Sequence, residues 1–381
     1  MGGSLVKVLV TGSAGFIGRN LIERLKTGAC PDVTEILEFD RDTDPDLLAV
    51  YAGECDFVFH LAGVNRPQDP AEFTEGNVDL TVRLLDALRA STPRPVVITS
   101  SVQALRDNPY GVSKRGAEEA VAVYATETGA HAYVYRLPNV FGKWSRPNYN
   151  TVIATFCHNI ARDLPVEVSD PSALLTLVYI DDVIDEFLRA LVGHATEIQG
   201  EYVVPVTHDT TVGELAERLR GFRQSRDSLA VPRSDDPLEK KLYATYLSFL
   251  EPDGLSYPLT MNCDQRGSFT EIIRTAERGQ FSVNVIKPGI TKGNHWHDTK
   301  NEKFVVVSGE GVIRFRMVGG TEVHEYFMSG ESMEVVDIPP GYTHSIENLG
   351  DTDMVTFMWA NEAFDPEKPD TYPLPVQNDA Q

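Results

Sequence analysis

Three glycines at a fixed spacing constrain this chain most strongly. The apolar run Lys7–Val10 (KVLV) predicts a buried β-strand, and a G-x-x-G-x-x-G turn followed by a helical pattern comes directly after it. In such a turn the first glycine permits the tight bend, the second lets the backbone approach a pyrophosphate, and the third allows close helix packing. The N-terminus of the helix also favours an anion. We therefore expect dinucleotide contacts from Gly12, Gly15, Phe16, Ile17 and Gly18.

Strand and helix patterns alternate through the first half of the chain. Four further apolar runs, separated by helical segments, are Glu35–Phe39, Asp56–Leu61, Val96–Ser101 and Ala132–Leu137. This order predicts an α/β, Rossmann-type, doubly wound parallel sheet that is covered on both faces.

The ends of the second and third predicted strands bear on the choice of cofactor. Asp40 lies at the distance past the glycines where an acidic residue usually binds the adenosine ribose hydroxyls. Arg41 could instead hold a 2′-phosphate, although a solvent-facing arginine is nearly as good an interpretation. NADP(H) is therefore the first expectation and NAD(H) the alternative. Small residues after the third strand can let the backbone approach the cofactor, which adds Leu61, Ala62 and Gly63 to the expected contacts.

A tyrosine and a lysine follow the fourth predicted strand at helical spacing. Tyr110 and Lys114 begin a segment rich in helix formers, which predicts a helix over residues 110–128 and places both side chains on one face. An ammonium one turn away should lower the pKa of the Tyr110 phenol. Ser101 lies just upstream and could hydrogen-bond the same substrate oxygen. Taken alone, the pattern also fits a surface tyrosine and lysine on an amphipathic helix.

These motifs together resemble the extended short-chain dehydrogenase/reductase family. The resemblance is carried by Thr11–Gly18, Ser101, Tyr110 with Lys114, and Tyr179–Val183. It implies that the chain modifies a nucleotide-activated sugar with a nicotinamide cofactor, with Ser101, Tyr110 and Lys114 as catalytic residues and Lys114 also contacting the cofactor. Family members often have some two dozen residues between the serine and the tyrosine, whereas this chain has eight, so we expect a reshaped open face of the site.

The same resemblance indicates where the substrate binds. The stretch after the fifth predicted strand faces the nicotinamide and the substrate diphosphate in that family, and it carries hydrogen-bond donors in an otherwise acidic chain. The expected substrate contacts are Asn139, Lys143 and Arg146. A charged surface loop is an equally good interpretation of each of them taken singly.

The pattern changes near residue 250, where Glu251–Gly254 ends the last helical segment of the first half. We therefore predict a reductase domain over residues 1–250 and an all-β domain over residues 251–381. In the second domain, His295 and His297 lie at i and i+2, so they point to the same face of a strand. Neighbouring strands can close a set with the ligand chemistry of a divalent transition metal. The expected ligands are His295, His297, Glu302 and His344.

The spacing of these residues resembles both motifs of the cupin (jelly-roll) superfamily, and a reductase followed by a cupin resembles a family of bifunctional capsular-polysaccharide enzymes. That resemblance implies a UDP-activated amino-deoxy sugar as substrate. The cupin would epimerise C3 of a 4-hexulose, and the reductase domain would reduce the 4-ketone with NADPH. One metal per chain is expected, zinc first. Alternatives are a purely structural or dimerising cupin, a metal-free cupin, a cupin dioxygenase, and a non-catalytic NADP-binding scaffold.

The charge balance excludes several classes of partner. With 34 basic and 56 acidic residues the net charge is −22, which argues against nucleic acid or an anionic membrane as a general partner. No apolar run reaches the roughly 20 residues of a membrane span. Four widely spaced cysteines without a C-x-x-C pair, and no signal-peptide layout, indicate a cytoplasmic protein. We expect a homodimer or a homotetramer.

Overall fold

A computed structural model describes residues 5–149, 151–275 and 277–377. The described residues form two compact units. The parallel-sheet unit contains the residues up to Arg220 together with Asp235–Glu251, and the antiparallel unit contains Gly221–Ser234 and the residues from Pro252 on. This division differs from the expected 1–250 and 251–381 in the stretch Gly221–Ser234, and the domain boundaries stay a prediction. None of the described helices has the length and hydrophobicity that a membrane span requires.

Helices lie almost entirely in the first two thirds of the chain. They are α1 (Phe16–Lys26), α2 (Leu47–Glu54), α3 (Ala71–Phe73), α4 (Leu80–Ala90), α5 (Pro109–Thr128), α6 (Val152–Ala161), α7 (Ile180–Leu191), α8 (Val212–Ser228) and α9 (Pro237–Leu247). A π-helical turn, Thr74–Asp79, joins α3 to α4, and short 3₁₀ helices lie at Val102–Leu105 and Pro252–Leu255.

Ten strands belong to the parallel-sheet unit. They are β1 (Val6–Thr11), β2 (Val33–Phe39), β3 (Phe57–His60), β4 (Val96–Ser101), β5 (Ala132–Leu137), β6 (Asn139–Phe141), β7 (Leu174–Tyr179), β8 (Glu197–Ile198), β9 (Glu201–Tyr202) and β10 (His208–Thr211). The main sheet has the order β2-β1-β3-β4-β5-β9-β8 and is parallel except for the β8–β9 pair. The strand order reverses at β1, so a topological switch point lies between the ends of β1 and β3, where ligands bind in such sheets.

Alternate residues of the central strands pack on opposite faces of this sheet. Val8 and Val10 lie in a core with side chains of α1 and α7, whereas Leu9 lies in a second core with side chains of α2, α4 and α5. The Rossmann-type fold predicted from the sequence is therefore confirmed, with both faces covered. Helix α5 spans nearly the predicted range because Asn108 caps its N-terminus and Gly129, with φ of +72°, ends it.

Two elements lie outside the simple alternation of strands and helices. Strand β7, which ends at Tyr179, pairs with β6 and β10 in a separate three-stranded sheet. Helix α8 begins in the parallel-sheet unit and continues to Ser228, within the stretch assigned to the antiparallel unit. Thr211 and Glu214 cap the start of α8 reciprocally: each backbone N–H donates to the other residue's side chain.

The antiparallel unit is a two-sheet β-structure, as predicted. Its strands are β11 (Met261–Asp264), β12 (Gly267–Thr275), β13 (Gly279–Ile286), β14 (Thr291–Trp296), β15 (Glu302–Ser308), β16 (Glu310–Met317), β17 (Val323–Ser329), β18 (Val336–Ile338), β19 (Tyr342–Asn348), β20 (Met354–Ala360) and β21 (Tyr372–Pro373). The sheets have the orders β11-β12-β13-β20-β15-β18 and β17-β16-β19-β14-β21. Their inner faces share one apolar core, to which Ile286 and Phe304 contribute from one sheet and Ile313 and Ile346 from the other.

Candidate functional site

The glycine turn lies at the switch point of the parallel sheet. Gly12 has φ of +70°, and a β-carbon on it would lie 2.6 Å from the backbone nitrogen of Ala62, just past β3. A β-carbon on Gly18 would overlap the carbonyl oxygen of Gly12. Only glycine fits at these two positions, because any side chain would collide with the neighbouring backbone. The first amide groups of α1, from Phe16 on, have no acceptor within the helix and can bind an anion.

Asp40 connects the end of β2 to the glycine turn. One carboxylate oxygen accepts the backbone N–H of Ala14 at 2.7 Å, and the other accepts the N–H of Arg41 at 2.7 Å. The Arg41 side chain is exposed beside it. The two residues that bear on cofactor choice thus lie at the same edge of the sheet, with the carboxylate oriented by the loop backbone.

Asn77, which the sequence did not single out as a site residue, connects the loop after β3 to helix α5. Its side-chain oxygen accepts the backbone N–H of Val64 at 2.8 Å, and its nitrogen donates to Val64 O at 3.1 Å and to Ser113 Oγ at 2.9 Å. A β-carbon on Gly63 would lie 3.0 Å from the ammonium nitrogen of Lys114. Loop and helix are thereby held together where the expected cofactor contacts Leu61–Gly63 meet helix α5.

His60 is a buried histidine whose two ring nitrogens both have hydrogen-bond partners. Its Nδ1 lies 2.7 Å from the Thr11 hydroxyl and its Nε2 lies 2.8 Å from the Thr81 hydroxyl. The Thr81 hydroxyl donates to the carbonyl of Asn77, so the proton of His60 must be on Nε2 and Nδ1 must accept from Thr11. Burial, and to a smaller extent the charge of Lys114, lower the pKa of His60 to about 3. This imidazole is therefore neutral near neutral pH.

Ser101, Tyr110 and Lys114 come together at the ends of β4 and the start of α5. Ser101 accepts the N–H of Gln103 and so caps the 3₁₀ helix Val102–Leu105. The Lys114 ammonium is buried, lies 5.9 Å from the centre of the Tyr110 ring and donates to the carbonyl of Thr99 at 3.1 Å. The ring of Phe73 packs against Tyr110 with the centroids 5.7 Å apart.

The electrostatics of this set differ from the expectation. Burial raises the pKa of Tyr110, and only its hydrogen bond with Ser101 acts in the opposite direction among the leading causes. The expected lowering of the phenol pKa by Lys114 is therefore wrong for the cofactor-free protein. Burial instead lowers the pKa of Lys114 to about 8, against an opposing effect of Glu118. Tyr110 is thus kept in its protonated form, which is the form that donates a proton.

The three expected substrate contacts have different surroundings. Lys143 forms an ion pair of 2.6 Å with Asp181 and lines a groove of about 210 Å³ beside α1 and α7. Ser101, Tyr110 and Lys114 are not among the described residues that line this groove. The side-chain nitrogen of Asn139 donates to the carbonyl of Thr176 at 3.2 Å, and Arg146 lies exposed in the following loop.

The antiparallel unit holds a second candidate site, in a cavity of about 650 Å³. His295, His297, Glu302 and His344 line it, and their ligand atoms all lie within 4.8 Å of one another. His295 pairs in register with His344 between β14 and β19. Glu302 begins β15 and therefore comes from the facing sheet. The sequence had led us to expect a neighbouring strand instead.

The atoms that meet in this cavity have the form that a metal requires. Glu302 Oε2 lies 3.4 Å from Nε2 of both His297 and His344. These three atoms are buried, and the described structure gives none of them a well-formed hydrogen bond. Burial, with the neighbouring imidazoles, lowers the pKa of His295 to about 4; burial would raise the pKa of Glu302, but the adjacent histidines lower it. Neutral imidazole and ionised carboxylate are the forms that bind a divalent cation, and His295 and Glu302 are in these forms. Burial would lower the pKa of His297, but the neighbouring Glu302 carboxylate raises it, so a cation would displace a proton there.

Other side chains of this unit divide between the cavity and the surface. His324 and Tyr326 lie on strand β17 with about half of each side chain exposed, and neither is among the described residues that line the cavity. Lys292 does line it, and its ammonium donates to Asn284 Oδ1 at 2.8 Å and to the carbonyl of Val285 at 3.0 Å. No sequence signal marked Lys292, because its partners lie on a different strand.

The fold and the glycine-turn site define a class of protein. The model of the NAD dependent epimerase/dehydratase family matches residues 8–204, and that of the polysaccharide biosynthesis C-terminal domain matches residues 262–372. The chain belongs to the NAD dependent epimerase/dehydratase family.

Two relatives match over both units. A UDP-2-acetamido-2,6-beta-L-arabino-hexul-4-ose reductase of Pseudomonas aeruginosa is 47% identical over 372 residues, which cover 97% of this chain and 99% of that protein. The crystal structure of the capsular polysaccharide assembling protein CapF of Staphylococcus aureus is 52% identical, covers 97% of this chain and 100% of that one, and has a TM-score of 0.91. The resemblance to capsular-polysaccharide enzymes is thereby confirmed.

A more distant structure shares the fold alone. The Bordetella bronchiseptica enzyme WbmF, solved with NAD⁺ and UDP, is 20% identical, covers 64% of this chain and 92% of that one, and has a TM-score of 0.54.

Proposed function

We propose that this protein reduces the 4-ketone of a UDP-activated 2-acetamido-2,6-dideoxy-hexulose and epimerises the same sugar at C3. The product would be UDP-2-acetamido-2,6-dideoxy-L-talose, for a capsule or surface polysaccharide. The observation that carries the reductase is the meeting of Ser101, Tyr110 and Lys114 beside the glycine turn. The name of the Pseudomonas relative, a hexul-4-ose reductase, supports the ketone as the reacting group.

The residues of the parallel-sheet unit suit a nicotinamide dinucleotide. The backbone cradle at Gly12 and Gly18 fits a pyrophosphate, and the buried Lys114 ammonium lies beside the loop at Gly63. When bound, the cofactor supplies the hydride that reaches C4. Ser101 and Tyr110 hold the ketone oxygen, and Tyr110 donates its proton to that oxygen as negative charge develops there. One ketone, one hydride and one proton then give one alcohol.

The residues of the cavity suit a divalent metal, and zinc is our first expectation. The buried, unpartnered nitrogens of His297 and His344 and the oxygen of Glu302 converge with His295, and such atoms are costly unless a ligand satisfies them. A cation held there supplies Lewis-acid stabilisation of negative charge on a ketone oxygen. The hydrogen on C3 beside a C4 ketone is acidic, so its removal and return on the other face inverts C3 with no net change in atoms.

The unpartnered ligand atoms also favour a second candidate role, in which the metal only stabilises the antiparallel unit. Incubating the protein in D₂O with the UDP-4-keto sugar but without NADPH separates the two roles. Epimerisation predicts deuterium at C3, observed by NMR, whereas a structural metal predicts none. Adding NADPH should then give the 4-alcohol; no consumption of NADPH or NADH with any UDP-4-keto amino-deoxy sugar would overturn the reductase.

A further inference from the structure

The segment Pro369–Val376, which we call the strap, runs alongside strand β14, which carries the expected ligand His295. Its Tyr372–Pro373 portion forms β21, which pairs with β14 so that Pro373 lies opposite His295 and Tyr372 opposite Trp296. The rings of Trp296 and Tyr372 pack with their centroids 4.8 Å apart. The strap therefore adds an edge strand directly to the strand that carries His295 and that ends just before His297.

The strap also fixes the imidazole of His297. The Nδ1 of His297 lies 2.6 Å from the backbone carbonyl oxygen of Asp370, and this oxygen can only accept. Neutral His297 must therefore carry its proton on Nδ1, which leaves the lone pair of Nε2 aimed at Glu302. A second hydrogen bond of this kind sets the tautomer and the ring orientation of metal-binding histidines in general.

The carboxylate of Asp370 holds the loop that follows His297. It accepts the backbone N–H groups of Asp298, Thr299 and Lys300 at distances of 2.8, 2.9 and 2.8 Å, and the Thr299 hydroxyl at 3.1 Å. The Lys300 ammonium, in turn, donates to the carbonyl of Pro369 at 2.9 Å. Asp370 thus holds the loop Asp298–Lys300 with its side chain and accepts a hydrogen bond from His297 with its backbone carbonyl.

The remainder of the strap supports a bulge next to His295. The pairing of β14 with β19 shifts register between Gly293 and His295, and Asn294 there has φ of +59°. Asn294 accepts the N–H of Leu374 on its carbonyl at 2.9 Å and the N–H of Val376 on its side chain at 3.1 Å. Buried Arg316 anchors this end by donating to two strap carbonyls, those of Pro375 and Val376, each at 2.7 Å.

We propose that Asp370 is a positioning residue for the metal site, and that the strap sets the affinity of that site by fixing His297 and the bulge beside His295. This inference rests on the metal site proposed above. The partner group, Asp370, is separated from His297 by 73 positions in the sequence. Second hydrogen bonds to metal ligands typically change metal affinity about 10–100-fold, and the loss of the Asp370 anchors should fall in that range.

The test compares Co²⁺ and Zn²⁺ binding by the full-length protein and by Asp370→Ala, with chelator competition for the dissociation constant and the visible Co²⁺ spectrum for the geometry. Asp370→Ala should bind about 10–100-fold more weakly and with an altered spectrum. Asp365→Ala is the matched control, because Asp365 lies on the same exposed approach to the strap and its carboxylate accepts only a nearby backbone N–H, that of Glu367, among the described contacts.

Two controls distinguish a weaker metal site from a general loss of folding. They are the melting temperatures of the metal-free proteins and a second variant, Asp370→Asn. Asp370→Asn keeps the size and one acceptor oxygen, so its loss of affinity should lie between those of Asp365→Ala and Asp370→Ala, with the metal-free melting temperature close to that of the unmodified protein. Asp370→Ala keeps the backbone carbonyl that faces His297 but loses the carboxylate anchors that hold the strap, so ¹⁵N NMR should show a smaller fraction of the Nδ1–H tautomer of His297. Equal metal affinities for all three variants would overturn the role of Asp370, whereas an unmodified protein that binds no metal would overturn the proposed metal site itself.

Discussion

The two candidate sites differ in how far the protein satisfies its own polar groups. In the parallel-sheet unit, buried Lys114 donates to Thr99 and buried His60 is bonded at both nitrogens. In the antiparallel unit, buried nitrogens of His297 and His344 face Glu302 without a well-formed hydrogen bond between them in the described structure. The first site is therefore complete in its fold before a ligand arrives, whereas the second needs a ligand to relieve buried polar atoms. Removal of a ligand should accordingly cost stability mainly in the antiparallel unit.

The largest expected effect separates the chemistry of the two sites. Tyr110→Phe should slow ketone reduction by about 10²–10⁴-fold, because only the proton donor to the ketone oxygen is lost. Binding of NADPH, by fluorescence titration, and deuterium exchange at C3 should both be nearly unchanged. Tyr51→Phe, a tyrosine on α2, is the control and should keep full activity. Retention of most of the reduction by Tyr110→Phe would reject Tyr110 as the acid.

The converse variant removes a ligand atom from the antiparallel unit. His344→Ala should lose bound metal, about one equivalent per chain in the unmodified protein, and should lower C3 exchange by about 10²-fold or more because ligand sets act as a unit. His324→Ala, an exposed histidine outside the cavity lining, should change neither. Reduction of a ketone supplied with C3 already inverted should persist in both. Undiminished exchange in a folded, metal-free His344→Ala protein would contradict metal-assisted epimerisation.

The pH dependence should distinguish the sites next. The pKa of Lys114 is lowered to about 8, so the ammonium is lost above that pH and reduction should fall by up to about tenfold per pH unit. The rate of deuterium exchange at C3 should not show this fall above pH 8. Stability should change in the opposite direction. Between about pH 8 and 10.5, the pKa of an unperturbed lysine, Lys114 is protonated in the unfolded chain but not in the folded one. The free energy of unfolding therefore rises with pH in this range. Rate and denaturant-melting profiles of the unmodified protein measured together would test both, and a flat reduction rate from pH 7 to 10 would exclude Lys114.

The smallest effect concerns cofactor choice at the edge of the parallel sheet. Arg41→Ala should weaken NADPH more than NADH, by no more than about fivefold, because an exposed charge contact contributes only ~0.2–1 kcal/mol. Asp40, which is held by the backbone of Ala14 and Arg41, keeps the preference modest. Arg83→Ala, another exposed arginine of the same unit, should leave both dissociation constants unchanged. Equal losses for both cofactors with Arg41→Ala would remove the assignment.

Features that are local in the sequence could be predicted. Helix α5 was expected over 110–128 and spans Pro109–Thr128, and β4 occupies the predicted Val96–Ser101, because caps and apolar runs lie within a few residues of the elements that they define. The two histidines at i and i+2 also share the cavity, since strand alternation dictates their direction.

Features that depend on distant partners could not be predicted. The hydrogen bond from His297 to Asp370, the approach of Glu302 from the facing sheet and the three-stranded sheet around β7 all join segments whose pairing no local pattern encodes. The raised pKa of Tyr110 belongs with these, because spacing shows a nearby ammonium but does not show how deeply a phenol is buried.

The hydrogen bonds around His60 have a fixed direction. This direction determines the range of pH over which the loop after β3 keeps its shape. Each group from Thr11 through His60 and Thr81 to the carbonyl of Asn77 donates to the next, so protonating the imidazole would turn one acceptor into a donor aimed at a hydroxyl hydrogen. An ordinary histidine changes charge near neutral pH, but this one does so only near pH 3. The loop after β3 is therefore insulated from mild acidification, because the imidazole that supports it stays neutral until the pH approaches 3.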